Sequence, residues 1–507
     1  MKTLLHAEWT KFRTIRGWLV AALLGALLIV GFGVLPGQQG TCSARCALPR
    51  GPEGQEVTDR FEFVHRTLTG DGSITARITA FTGERPSEAG PPTAGLVPWA
   101  KAGLILKDGT KPGSSYAAVM LTGAHGVRFQ HDYVHDGPGP AGNPRWLRLS
   151  RAGDTVTAAA STDGSTWHAV GSATVKNLPG TVEAGLFTTS PQYSQVSTQT
   201  FGTSGAFGGP STATAVFDHV SLNGHTSDAR WRTGEVGGVR DDPAGAPPAD
   251  APGDGSRAGS AGPEADAHQA GGVFTLTGSG DVAPAVSGVN GLGTSLTQTL
   301  IGTFVGLILL VALGALFLTA EYRRGLIATT FTATPARGRV LAAKALVLAA
   351  VAGVLGAAAA AAAVTLGRAV LRGNGVYVNP VPFVTESRLV LGTGLLLALC
   401  AVLALAVGSV IRKSAPALVV VLALTVLPYL LAMTVLPSGA AQWVLRVTPA
   451  AAFAVQQSAV QYAQVDNLYT PPNGYFPLPP GAGLAVLAAW TAAALVLAAY
   501  LLRRRDA

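Results

Sequence analysis

Six stretches of this chain are long and apolar enough to cross a bilayer, and a polar block of about 260 residues separates the first from the other five. A spanning helix needs about 20 mostly apolar residues at 1.5 Å per residue. The stretches are residues 17–35, 296–320, 345–367, 389–411, 415–436 and 484–502, and none holds an Asp, Glu, Lys, Arg or His in its interior. The expected fold is a multi-domain membrane protein: a six-helix α bundle with one large domain inserted between helices 1 and 2. Residues 302 and 306 form a G-x-x-x-G in the second stretch, a spacing that lets helices approach closely.

Charge orients the bundle. The chain has 36 Lys+Arg against 28 Asp+Glu, a net +8. Fourteen of the basic residues sit at alternate span ends: Lys2, Lys11, Arg13 and Arg16; Arg323, Arg324, Arg337, Arg339 and Lys344; Arg412 and Lys413; Arg503, Arg504 and Arg505. Only Glu8, Glu321 and Asp506 accompany them, so the rest of the chain is slightly acidic. Basic residues near span ends mark the cytoplasmic side. The expectation is a multi-pass protein of the plasma membrane, with both termini cytoplasmic and the insert extracellular. Basic residues spread over four short segments do not make a nucleic-acid surface. Leu5, Trp9, Phe12 and Ile15 recur at helical spacing ahead of the first span, as in an interfacial helix leading into it. The run after them is long for a secretory signal and lacks a clear A-x-A, so this end reads as uncleaved.

The insert reads as all β. Residues 73–81 alternate apolar and polar, and similar runs follow at 102–107, 116–121, 127–133, 146–151, 155–161, 182–188 and 215–222. Turn signals such as Asp108-Gly109 and Asp163-Gly164 separate them. Many short strands imply a sandwich or jelly roll. The expected organisation is 1–36 interfacial helix and first span, 37–58 extracellular linker, 59–285 sandwich, and 286–507 remaining spans. Within the sandwich, residues 234–272 are rich in Pro, Gly, Ala and Asp and read as a mobile linker, and 273–281 as a returning strand.

Chemistry is sparse. No G-x-x-x-x-G-K-[ST] phosphate loop occurs, and no span holds a buried ionisable group of the kind ion-driven carriers use. The chain reads as non-enzymatic and without a cofactor of its own. If it moves a solute uphill, the energy comes from another subunit. Cys42 and Cys46, just outside the first span, are a candidate disulfide. His131, Asp132, His135 and Asp136 are metal-type ligands, but they flank a Gly/Pro-rich loop where exposure is the default, so no metal is assigned. Trp99, Tyr133, Trp146 and Trp167 are a candidate glycan platform, with packing in the core as the alternative.

Two resemblances follow. His6–Arg16, together with Glu321-Tyr-Arg-Arg-Gly-Leu-Ile-Ala-Thr-Thr and Thr334-Pro-Ala-Arg-Gly-Arg-Val-Leu-Ala-Ala-Lys344, resembles the permease subunits of ABC transporters of the type-2 exporter class. The resemblance covers residues 1–36 and about 290–507. It implies a dimer (homo- or heterodimer) with a separate ABC ATP-binding subunit that hydrolyses ATP. It also implies a coupling helix after the second span that docks on that subunit, which makes Glu321, Tyr322, Arg323, Arg324, Arg337 and Arg339 the candidate coupling residues. Read from the residues alone, Glu321 could instead pair with a neighbouring Arg, and the basic residues could serve topology only. Phe61–Val64, Leu68–Arg77, Trp99–Leu106, Gly126–Phe129, Trp146–Leu149, Ser161–Trp167 and Phe217–Val220 resemble concanavalin A-like (laminin G-like) sandwich modules, some of which bind glycans. In those modules a strand like 272–281 comes first, so the domain is expected to be circularly permuted, with 273–281 pairing in the same sandwich as 59–80. The rival functional reading is a non-transporting surface adhesin or sensor anchored by the bundle.

Overall fold

The computed structural model describes residues 2–35, 48–87, 90–198, 204–227, 230–237, 266–288, 293–323, 325–326, 332, 336–467 and 469–504. Cys42, Cys46, Arg324 and most of the 234–272 linker lie outside the described residues.

The helical part comprises α1 (Lys2–Thr14), α2 (Arg16–Val34), α3 (Thr303–Arg323), α4 (Arg337–Gly373), α5 (Phe383–Ile411), α6 (Ser414–Thr425), α7 (Leu427–Thr434), α8 (Ser438–Val447) and α9 (Pro480–Arg504). Five of the described helices are long and apolar enough to cross a membrane, or six if α6 and α7 count as one span. That pair is bent by 40°. Pro428, at the start of α7, has no N–H to donate back into α6, which breaks the helix there. Glycines set the spacing within the bundle. A side chain at Gly302 would meet the backbone oxygen of Ile29, and one at Gly306 the Ile29 side chain, so the G-x-x-x-G packs α3 onto α2. Between α8 and α9, a 3-10 helix at Pro449–Gln456 is buried along its length against the bundle. Gln456 donates there to Thr303 (3.0 Å) and Thr393 (3.1 Å).

The polar insert forms a 14-stranded sheet organised by one strand, Phe61–Ser87. Its first half pairs with Thr181–Thr189 and Arg232–Val236, its middle with Trp146–Ala152, and much of its length with Thr212–Thr226. The strand Val273–Gly278 pairs with Thr212–Thr226, in the sheet that contains Phe61–Ser87. The expected pairing of the returning segment is therefore present. Two edges of the expected linker are strands instead of coil: Arg232–Val236, and Asp266–Ala270, which pairs with Val273–Gly278. Residues 48–58 also carry structure, a bridge from Arg50 to Glu56 and the strand Val57–Asp59 paired with Val282–Pro284. Each of the eight runs read from alternation lies in an observed strand, except that Val127–His131 ends two residues early, where Asp132 and Tyr133 turn with positive φ. Leu68, Ile74, Ala102, Leu104, Leu147, Leu149, Leu186 and Phe217 share one apolar core.

The sheet sits on the end of the bundle where α2 finishes and α3 begins. Gln464 donates to Tyr133 O and Val134 O at 3.2 Å each, Asn467 to Ser287 O at 2.7 Å, and Tyr377 hydrogen-bonds Glu56.

Candidate functional site

At the opposite end of the bundle, a buried charge cluster ties three helices together. Lys344 lies two turns into α4 and is fully buried. Its ammonium donates to Glu8 Oε2 on α1 at 2.8 Å and to Glu321 Oε1 on α3 at 2.7 Å. Lys11, about 40% exposed, reaches the two carboxylates at 3.5 and 3.4 Å. Two cations thus face two carboxylates. The Phe317 ring lies 4.8 Å from the Lys344 ammonium, with Phe12 and Trp18 packed on its edge. These rings keep water out, so each short pair acts in a low dielectric. Glu321 Oε2 is buried without a hydrogen-bond partner among the described residues.

Local sequence explains the geometry once the partners are known. The inward face of α1 is Leu4, Leu5, Glu8 and Phe12, not the expected Leu5, Trp9, Phe12 and Ile15. Trp9 and Ile15 are about two-fifths exposed. This orientation brings Glu8 to Lys344 and Phe12 to Phe317. Glu8 and Lys344 are not among the candidate site residues that the sequence offers. The available signal was a carboxylate at i+3 from Leu5 and i−4 from Phe12, inside the apolar stripe.

The expected coupling residues separate into two groups. Glu321 turns inward and spends its charge on Lys344, so it offers a partner no exposed carboxylate. Tyr322 is half-buried beneath the Arg412 guanidinium, 5.2 Å from its ring. Arg337 donates to Leu502 O on α9 at 2.8 Å. Arg323 and Arg339 are exposed.

On the sheet, the four aromatic residues do not form one platform. Tyr133 is fully buried, donating to Asp59 Oδ2 at 2.7 Å, and the buried Lys107 bonds the same oxygen at 2.8 Å. Burial beside Asp59 pushes the Tyr133 phenol far above its ordinary value. Trp99 is buried against His125, 4.1 Å away. Trp146 and Trp167 are half-buried under Arg77 and Arg148. The alternative of core packing holds for Tyr133 and Trp99. His131 and His135 stack on each other at 4.3 Å, Asp136 pairs with Arg128, and Asp132 accepts from Ser115 at 2.5 Å. The described residues hold no metal-type group of three or more His, Cys, Asp or Glu.

A family model described as "ABC-2 family transporter protein" matches residues 155–507, well over half of the chain, beginning inside the sheet. No curated protein matches. Among solved structures, the chain is similar to a functionally unknown protein from Saccharomyces cerevisiae, at 14% identity over 37% of this chain and 85% of that one, with a TM-score of 0.19. It is also similar to SCP-B, a member of the eqolisin family of peptidases solved with the tripeptide Ala-Ile-His, at 8% identity over 43% of this chain and 98% of that one, with a TM-score of 0.24. Neither score bears on the fold or the chemistry of this chain.

Proposed function

Since the chain belongs to the ABC-2 transporter family, whose permeases are non-catalytic membrane components that normally work with an ATP-binding subunit, we propose that it is the permease half of an ATP-driven exporter. It acts as a dimer, and ATP is hydrolysed on the partner subunit. The bundle spans the plasma membrane six times, counting α6 and α7 as one broken span. Both termini are cytoplasmic, and the sheet, a concanavalin A-like jelly roll, caps the outer end as a docked body.

The Lys344 cluster is the observation that supports coupling best. It joins the interfacial helix to both helices flanking residues 324–336, on the end that carries the basic segments. A partner that moves this segment therefore moves α1, α3 and α4 together, because separating Lys344 from either carboxylate leaves a charge buried and unpaired. Arg323, exposed at the end of α3, is available to meet the partner, and Arg324 follows it directly in the sequence with the same charge. The test is co-purification of the full chain with its ATP-binding subunit. Arg323→Glu/Arg324→Glu should lower partner retention and ATPase activity while membrane insertion is unchanged. A chain that never retains an ATP-binding subunit from native membranes would overturn the proposal.

A further inference from the structure

A cleft of about 570 Å³ opens where α4 begins and α9 ends, lined by Ala336, Arg337, Gly338, Arg339, Ala342, Ala499 and Arg503. Two helix stripes form its walls. On α4, Arg339, Ala342 and Leu346 follow one another at i, i+3 and i+7; on α9, Arg503, Ala499 and Val496 do the same in reverse. Each stripe is cationic at the end of the bundle, has one methyl group in the middle, and is exposed and apolar deeper in. Leu346 is 54% exposed and Val496 70%. Arg337, bonded to Leu502 O, ties the two walls together at the mouth. Among the described residues no carboxylate pairs with Arg339 or Arg503, and no acid lines the cleft. The first turn of α4 adds the positive end of its helix dipole to the same mouth.

We propose that this cleft holds an anionic phospholipid of the cytoplasmic leaflet. The phosphate sits between Arg339 and Arg503, the glycerol region beside Ala342 and Ala499, and an acyl chain along Leu346 and Val496. Arginine forks suit phosphate oxygens, and basic pockets between helices on this side recognise acidic headgroups. The gradient from charge through small residues to exposed apolar surface fits a lipid better than a protein partner, because its inner half lies at hydrocarbon depth. The inference rests on the membrane-spanning reading, and the cysteine-labelling test in the Discussion checks that reading separately.

The experiment uses the full chain, purified in detergent and stripped of lipid, with melting followed as phosphatidylglycerol, phosphatidylcholine or inorganic phosphate is added. Phosphatidylglycerol should raise the melting temperature, and phosphatidylcholine and phosphate should not. Arg339→Gln/Arg503→Gln should melt like the parent without lipid, since both side chains are exposed, and bind phosphatidylglycerol roughly thirtyfold more weakly. Ala499→Leu, which fills the cleft and keeps every arginine, should weaken it as well. Equal phosphatidylglycerol affinity in parent and variants overturns the proposal. So does equal protection by inorganic phosphate, or a double variant that keeps its lipid affinity and loses only the ATP-binding subunit.

Discussion

Replacing Lys344 with methionine keeps most of the side-chain volume and removes the charge that Glu8 and Glu321 share. The two carboxylates then face each other in a water-poor site with only Lys11 nearby. Lys11 is too exposed and, at 3.4–3.5 Å, too distant to replace Lys344, and a pair of that kind is worth about 0–1 kcal/mol. Removing one member of a buried pair costs about 3–5 kcal/mol, which corresponds to roughly a 150- to 5,000-fold increase in the fraction of molecules with α1 undocked. Tryptic cleavage after Lys11 or Arg13 at native temperature reports that fraction directly. Lys344→Met should therefore be cut far faster than the parent. The control is the neutral triple variant Glu8→Gln/Glu321→Gln/Lys344→Met, in which no buried charge is left. It should recover most of the protection, because a buried ionic cluster replaced as a whole is often close to neutral. If the single and triple variants are cut at equal rates, the electrostatic account is wrong and Lys344 matters only by its shape.

Other outcomes follow from single contacts. Burial and the carboxylates of Glu235 and Asp266 raise Glu62 to about 7, from an ordinary value near 4.5. Its contribution to stability is therefore full below pH 4.5 and lost as pH rises through 7. Glu62→Gln should flatten the melting temperature across that window and stabilise the sheet at pH 8 by at most about 3 kcal/mol; an unchanged pH profile would remove Glu62 as the cause. With Cys42, Cys46 and Cys400 replaced, Ser165→Cys and Pro472→Cys should react with a membrane-impermeant reagent in intact cells and Arg323→Cys should not. Labelling of Arg323→Cys from outside reverses the orientation. Gly306→Leu should push α3 off Ile29 and cost about 1–3 kcal/mol, seen as a lower melting temperature, whereas Gly439→Leu, with open space at its Cβ, should be nearly neutral.

What could be read from the sequence divides along a physical line. Helices and strands show in local periodicity, because each must turn a continuous apolar face to lipid or to a core: the eight strand runs lie in observed strands or within two residues of one, whereas the apolar stretches mark only the middles of longer helices, as 345–367 does within Arg337–Gly373. The Lys344 cluster is of another kind. Glu8 and Lys344 are 336 positions apart, so nothing local says that either charge is buried. Lys344 lies just before an apolar run, where a lysine is ordinarily a topology marker. Only the meeting of three helices makes it a cation without water. The same reasoning separates the aromatic residues of the sheet. Alternation could place Trp99 and Tyr133 on strands or turns, but Tyr133 lies inside because the positive φ at Asp132 and Tyr133 turns the chain back toward Asp59 and Lys107. Tyr133 is buried where a turn changed the expected face, and Glu321 faces inward because a cation distant in sequence pairs with it. In both cases an ionisable group was buried only because a partner from elsewhere in the chain met it.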